Sequence, residues 1–166
     1  ETYRRQYRFN AINLIQVNLY GPGDNFHVEN SHVVAALIRK CLEAYDSGND
    51  RIVLWGDGSP TREFLYKDDA GRGIVLATAR YDESEPVNLG SGNEISIRDL
   101  AALIAELTGF HGSIEWDTDK PNGQPRRRLD TDKASNLFGF EATTPLEVGL
   151  ARTIEWYRQT MHTSDN

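Results

Sequence analysis

Three short stretches place residues capable of chemistry next to residues that bend the chain. The first is Asn18-Leu19-Tyr20-Gly21-Pro22, directly after an apolar run. Ligands of parallel α/β sheets gather at the carboxyl ends of strands. There an Asn amide offers both donor and acceptor, and a Gly lets a ligand approach the backbone. The same residues would also make a plain strand-terminating turn. The second stretch, Asn25 to His32, runs into a helical pattern. A His at a helix start can donate to an anion with help from the local dipole, or it can simply cap the helix. The third is Trp55-Gly56-Asp57-Gly58-Ser59-Pro60-Thr61-Arg62-Glu63-Phe64. A Trp and an Arg flanking a tight turn can clamp a base or sugar face and a diphosphate, the guanidinium offering a planar fork of donors. The alternative is a hairpin with Trp55 in the core and Arg62 paired with Glu63 or a nearby Asp.

Composition narrows the classes of function. The chain has 166 residues and a net charge of −7, the size of about one domain. Its mean field repels phosphate, so neither nucleic acid nor an anionic membrane is an expected partner. No apolar run approaches the ~18 residues of a membrane span. The first eleven residues lack the apolar stretch of a secretory signal. Cys41 is the one cysteine, which excludes an internal disulfide and a multi-cysteine metal site. The four histidines, His27, His32, His111 and His162, are scattered, so no metal is expected. A cytoplasmic setting fits. No GxGxxG turn stands in a βαβ frame and no GxSxG elbow is present. The chain starts at Glu1 rather than Met, and we expect it to be a piece of a longer protein.

Helical and extended patterns alternate, which argues an α/β fold. A short helical end covers residues 1–9. Ala11 to Val17 is β-branched and reads as a parallel strand buried on both faces. His32 to Tyr45 has helical spacing. Arg51 to Trp55 and Glu63 to Tyr66 are extended, joined by turn chemistry. A helix spans Asp68 to Arg80, and a short strand covers Val87 to Gly90. Ser96 and Asp99 resemble a capping box, opening a helix that ends at Gly109. Ser113 to Trp116 is extended. Thr144-Pro145-Leu146-Glu147 opens a last helix to about Tyr157, followed by a polar tail.

The stretches NLYGPGDNFHVENSHVVAALIRK, WGDGSPTREFLYKDDA, NLGSGNEISIRDLAALIAELTG and DKPNGQPRRRLD occur in that order. Together they resemble the C-terminal half of the GDP-L-fucose synthase family, NADP-dependent 3,5-epimerase/4-reductases among the extended short-chain dehydrogenase/reductases. The resemblance covers roughly residues 1–158. It implies part of a Rossmann-type sheet with the smaller substrate-binding α/β domain: 1–22 as a remnant of the dinucleotide-binding domain, 23–158 as the sugar-nucleotide domain and 159–166 as a frayed tail. It implies NADP contacts at Gln16, Val17, Asn18, Leu19 and His32, and GDP-sugar contacts at Lys40, Trp55, Arg62 and Asn122. His32 is also the implied proton donor in epimerisation. Arg126 could add positive field near the diphosphate, with Arg127 and Arg128 on a solvated strand edge.

Gln16 stands where the family usually has Pro, and Asn122 where it has Asp. The family's catalytic Tyr and Lys, reactive Cys and Gly-rich loop lie upstream of the matched region, and Cys41 reads as core. We therefore expect the isolated chain not to reduce substrate. Two other readings stay open: an epimerase or dehydratase using a UDP- or dTDP-sugar, and a non-catalytic, self-associating module. With the strand at 11–17 lacking its neighbours, a homodimer through residues 1–20 is expected.

Overall fold

The computed structural model describes residues 1–164. A short helix, α1 (Thr2–Tyr7), precedes the apolar run. That run is not one strand. It forms β1 (Leu14–Gln16) and β2 (Asn18–Tyr20), divided at Val17. The division marks a change of partner: β1 pairs in parallel with β5 (Val87–Leu89), and β2 pairs in parallel with β4 (Thr61–Tyr66). The Val17 N–H makes the last bond to the first partner, 3.0 Å to the Leu89 carbonyl. Nor is the run buried on both faces. Val17 and Tyr20 are buried, but Ile15 is 45% exposed and Leu19 37%. Among the described residues β1 is paired along one edge.

Strand β4 is the hub. Its second half, Phe64 to Tyr66, runs beside β2. Its first half lies antiparallel to β6 (Glu94–Ser96) and parallel to β8 (Arg126–Arg127). A hairpin between β4 and β3 (Arg51–Trp55) does not form, because β3 pairs in parallel with β7 (Ser113–Asp117) along its whole length. The turn at 56–60 therefore carries the chain from one sheet to another.

Two cores flank these sheets. One lies between α2 (Val33–Ser47), α4 (Ile97–Thr108), α6 (Leu146–Ser164) and the β3–β7 pair; Ile38, Cys41, Leu100, Ile104 and Leu150 are fully buried there. The expected Ser96 and Gly109 caps set the ends of α4, whereas α2 runs two residues past the expected Tyr45 to close at Gly48. The Ser96 hydroxyl accepts the Asp99 N–H at 3.0 Å, and Gly48 and Gly109 close α2 and α4 in the left-handed conformation. Gly149 lets α6 lie directly on Tyr20, because a Cβ there would overlap the phenol. Helix α6 is longer than expected. No Gly or Pro interrupts the polar sequence after Tyr157, and the helix runs to Ser164; residues 165 and 166 of the expected tail lie outside the described residues.

The second core joins Val17, Leu65, Val87 and Leu89 to α3 (Lys67–Arg80) and α5 (Asp132–Phe138). The expected dinucleotide-domain remnant thus shares its packing with residues from far along the chain. Asp69, in the first turn of α3, staples the segment before α6. Its buried carboxylate accepts the Thr143 N–H at 3.2 Å, the Thr144 N–H at 2.8 Å and the Arg72 guanidinium at 2.8 Å. Burial alone would raise this carboxyl, but Arg72 and the two threonines outweigh it and hold it well below the usual carboxylate range.

A carboxyl depressed in the folded state adds stability above its unfolded pKa and loses it as pH falls through the folded value. Asp69 thus helps the fold at neutral pH and ceases to help in strong acid. Asp69→Asn should lower the urea midpoint at pH 7 and flatten the loss of stability below pH ~4. Parallel pH–stability curves for the two proteins would show that Asp69 carries none of it.

Candidate functional site

The site grows from the two faces of β4. Adjacent strand residues point to opposite faces, and Arg62 and Glu63 do so. Glu63 is fully buried. Its two oxygens accept the Gly92 N–H at 2.7 Å and the Leu129 N–H at 2.8 Å. Its backbone carbonyl accepts the Asn18 amide at 3.0 Å, tying the end of β2 to β4. Glu63 was not expected as a site-building residue; the signal was a carboxylate directly before the apolar run Phe64-Leu65-Tyr66. Arg62 is half-buried, and its guanidinium donates to the Thr61 carbonyl at 2.7 Å. Gly123 lies beside it.

Trp55 ends β3 with 67% of its surface exposed, so it is not a core residue. The Lys120 ammonium stands 5.9 Å from its ring centre. The following Gly56, at φ +78°, packs against Asn122 so closely that a Cβ would overlap the side-chain amide. The Asn122 oxygen accepts the Asp57 N–H at 2.8 Å. Trp55, Arg62 and Asn122 are thus brought together where the 56–60 turn meets the 117–125 loop.

Lys40 joins this group through β3. From α2 its ammonium donates to the Val53 carbonyl at 2.8 Å, two residues before Trp55. Burial, followed by the neighbouring Arg39, pulls its pKa below the ordinary lysine value. His32 caps the start of α2 through its carbonyl, which accepts the Ala36 N–H at 2.9 Å, and its ring is exposed. It stands two turns before Lys40, about 12 Å along the helix axis. Gln16, Val17, Asn18 and Leu19 lie in order across the change of partner, opposite Leu89, then Phe64 and Leu65. The structure does not gather His32 and residues 16–19 into the Trp55 loop cluster; Asn18 and Leu19 lie beside the far half of β4 from Arg62.

Arg126 is committed to a partner. It grips Glu94 through Nε at 2.8 Å and Nη2 at 2.8 Å. That contact, with the Thr61 hydroxyl, pulls the Glu94 carboxyl down to about 2. Arg126 therefore fixes β8 to β6 rather than offering a free charge. Past it, an open groove of about 500 Å³ is lined by Arg128, Asp130, Thr131 and Asp132. Among the described residues no cluster of His, Cys, Asp or Glu could hold a metal, and no helix is long and apolar enough to cross a membrane.

The family model described as "NAD dependent epimerase/dehydratase family" matches residues 1–90. The chain belongs to this family. Among its curated relatives, GDP-L-fucose synthase 1 of Arabidopsis thaliana is 46% identical over 157 residues, covering 95% of this chain and 48% of that protein. GDP-L-fucose synthase of Escherichia coli (strain K12) is 39% identical over 166 residues, covering 95% of this chain and 51% of that one. A solved GDP-L-fucose synthetase from Naegleria fowleri, bound to NADP, superposes with a TM-score of 0.86 at 34% identity, covering 92% of this chain and 48% of its own. The chain spans about half the length of the curated relatives it matches. Its α/β architecture is part of the extended short-chain dehydrogenase/reductase fold that the epimerase/dehydratase family shares.

Removing Arg126 should free Glu94. In Arg126→Gln, the Glu94 side-chain carboxyl should rise toward the ordinary ~4.3, short of it by the share Thr61 keeps, against about 2 with Arg126 present. Carbon-detected NMR titration of both proteins measures this; an unmoved midpoint would show that Thr61 alone holds the carboxylate.

Proposed function

We propose that this chain supplies the sugar-nucleotide half of an NADP-dependent epimerase/reductase that converts GDP-4-keto-6-deoxy-mannose to GDP-L-fucose. One observation carries the reading: Trp55 is mostly exposed, and the Asn122-Gly123 pair links the turn that follows it to the Arg62 guanidinium, Asn122 lying on Gly56 and Gly123 beside Arg62. An exposed indole offers a stacking surface for a base or sugar. A guanidinium offers paired donors for a diphosphate. In this reading Trp55, Arg62, Lys40 and Asn122 form the GDP-sugar clamp. Residues 1–22 close the dinucleotide side, and 23–158 carry the sugar nucleotide. The relatives' printed names favour a GDP-sugar over a UDP- or dTDP-sugar.

The end of β2 fits a cofactor wall: Leu19 is exposed there while its strand is held from below by β4. Gln16, Val17, Asn18, Leu19 and His32 would hold NADP, which when bound supplies the hydride for reduction at C4. The exposed imidazole of His32 would deliver a proton during inversion at C3 or C5, the role of a general acid. Asn18, with its amide spent on the Glu63 carbonyl, fixes the backbone of that wall. The reaction is placed in the cytoplasm.

The same proposal includes a homodimer through residues 1–20. Tyr3, Tyr7 and Phe9 are 69%, 63% and 59% exposed, and they line an apolar groove. The open edge of β1 adds exposed Ile15. Burying each large apolar side chain is worth ~1.5–3 kcal/mol. Light scattering should give twice the 18.7 kDa chain mass, and Tyr7→Glu should return it to the monomer. A wild-type monomer at high concentration would sink the dimer.

Calorimetry tests the nucleotide reading. GDP should bind more tightly than UDP or dTDP. Arg62→Ala should weaken GDP about tenfold or more, as expected for a lost charge-assisted contact of ~1.5–3 kcal/mol. Equal affinity in the variant would place the diphosphate elsewhere.

A further inference from the structure

We propose that Glu115 selects the base of the bound nucleotide: its carboxylate takes the N1–H and 2-amino edge of a guanine lying on Trp55. This rests on the GDP-sugar reading above and adds to it a residue that the resemblance does not name.

Strand β3 alternates between two faces. Ile52 and Leu54 enter the core, while Arg51, Val53 and Trp55 face outward. Strand β7 runs beside it in register, so Glu115 stands opposite Val53 and Asp117 opposite Trp55, on the same outward face. Neighbouring strands lie ~4.8 Å apart, and two residues along a strand cover ~6.6 Å. From backbone to backbone Glu115 is therefore ~8 Å from Trp55 across one open face, an interval that a purine resting on the indole spans. Of the two carboxylates there, Asp117 is turned into its own loop, where it accepts the Asp119 N–H at 3.2 Å. Glu115 keeps an exposed side chain, and its ion partner, the exposed Arg51, stands 3.6 Å away. A solvated pair at that distance holds its carboxylate weakly.

A cation completes the edge. The Asp50 carbonyl accepts the Ser113 N–H at 2.7 Å, and the Gly56 N–H donates to the Asp117 carbonyl at 2.8 Å, so the even-numbered residues along this stretch bond toward β7. The Val53 carbonyl points the other way, to the edge of β3 that faces away from β7, and there it accepts the Lys40 ammonium at 2.8 Å. An ammonium has three donors, so two remain for a ligand. Val53 thus stands between a carboxylate on one flank and an ammonium on the other. Guanine matches that order. Its O6 accepts, and its N1–H and 2-amino group donate side by side, as the two oxygens of a carboxylate require. Uracil and thymine put a second carbonyl where the 2-amino group would be, and adenine puts a bare ring nitrogen in place of N1–H. Each of these sets an acceptor against the carboxylate, which repels it.

The test is calorimetric titration of the full chain with GDP and with IDP, which lacks only the 2-amino group. Wild-type protein should bind GDP about tenfold more tightly than IDP, the scale of one hydrogen bond to a charged group. E115A should weaken GDP more than IDP and bring the ratio close to one. E115Q, which keeps the size but turns an N–H2 toward the same edge, should do likewise. R62A should weaken both nucleotides by the same factor and keep the ratio, as would any change that merely loosened the strands. A GDP-to-IDP ratio that ignores both Glu115 variants while GDP still binds would overturn the assignment and leave the GDP-sugar reading standing. Equal binding of GDP and IDP by wild-type protein would do the same. If wild-type protein binds neither, the GDP-sugar reading itself fails and takes the assignment with it.

Discussion

A single buried carboxylate, that of Glu63, fixes the geometry on which the rest of the molecule depends. Taking a carboxylate out of water costs several kcal/mol before compensation. Here each oxygen receives a backbone N–H from a different loop, Gly92 on one side and Leu129 on the other. Such charge-assisted bonds are the stronger kind. The two loops lead from β5 toward β6 and from β8 toward α5, so the charge binds four elements to β4. Because strand neighbours alternate faces, committing Glu63 inward commits Arg62 to the other face, where the loop cluster forms. A small residue is needed beside this carboxylate, and Gly90 is there; any Cβ at that position would overlap it.

The chemistry-bearing side chains are distributed according to how rigidly they must be held. Arg62 sits within β4, flanked by strands on both sides. Trp55 lies at the end of a strand and relies on a turn. Lys40 reaches over from a helix to a strand carbonyl, its ammonium donating to Val53. Two of the acidic residues in contact with arginines, Asp69 and Glu94, serve the frame instead. Asp69 joins the start of α3 to the segment before α6, and Glu94 joins β6 to β8. Strong electrostatic contacts in this molecule hold its scaffold, and the clamp residues are left with weaker ones.

What was legible in the sequence follows from how local each feature is. Caps at Ser96 and Gly109 act within a few residues, and the helix they bound was readable from spacing and cap chemistry. Trp55 and Arg62 stood out because turn residues separate them. Strand β6 was invisible, being three residues long and made a strand only by lying beside β4. Helix α5 was missed because seven residues give little periodicity. The change of partner at Val17 has no local signature, since the apolar run continues through it; only long-range pairing reveals it. Asn122 was reached through resemblance alone, and its bond to the N–H of Asp57, far away in sequence, emerges only in the fold.

The break at Val17 also makes the strand a gauge. From Gln16 to Leu19 the chain advances three extended steps, about 10 Å, with its lower end locked in register to Leu89 and its upper end to Leu65. Neither end can slide without unpairing a ladder, and a slip by one residue would turn Asn18 to the opposite face. The spacing between the two sheets is therefore written in residue count rather than in side-chain identity. Substitutions along this segment are absorbed by packing, whereas inserting or deleting one residue would shift one half of the molecule against the other by a full strand step.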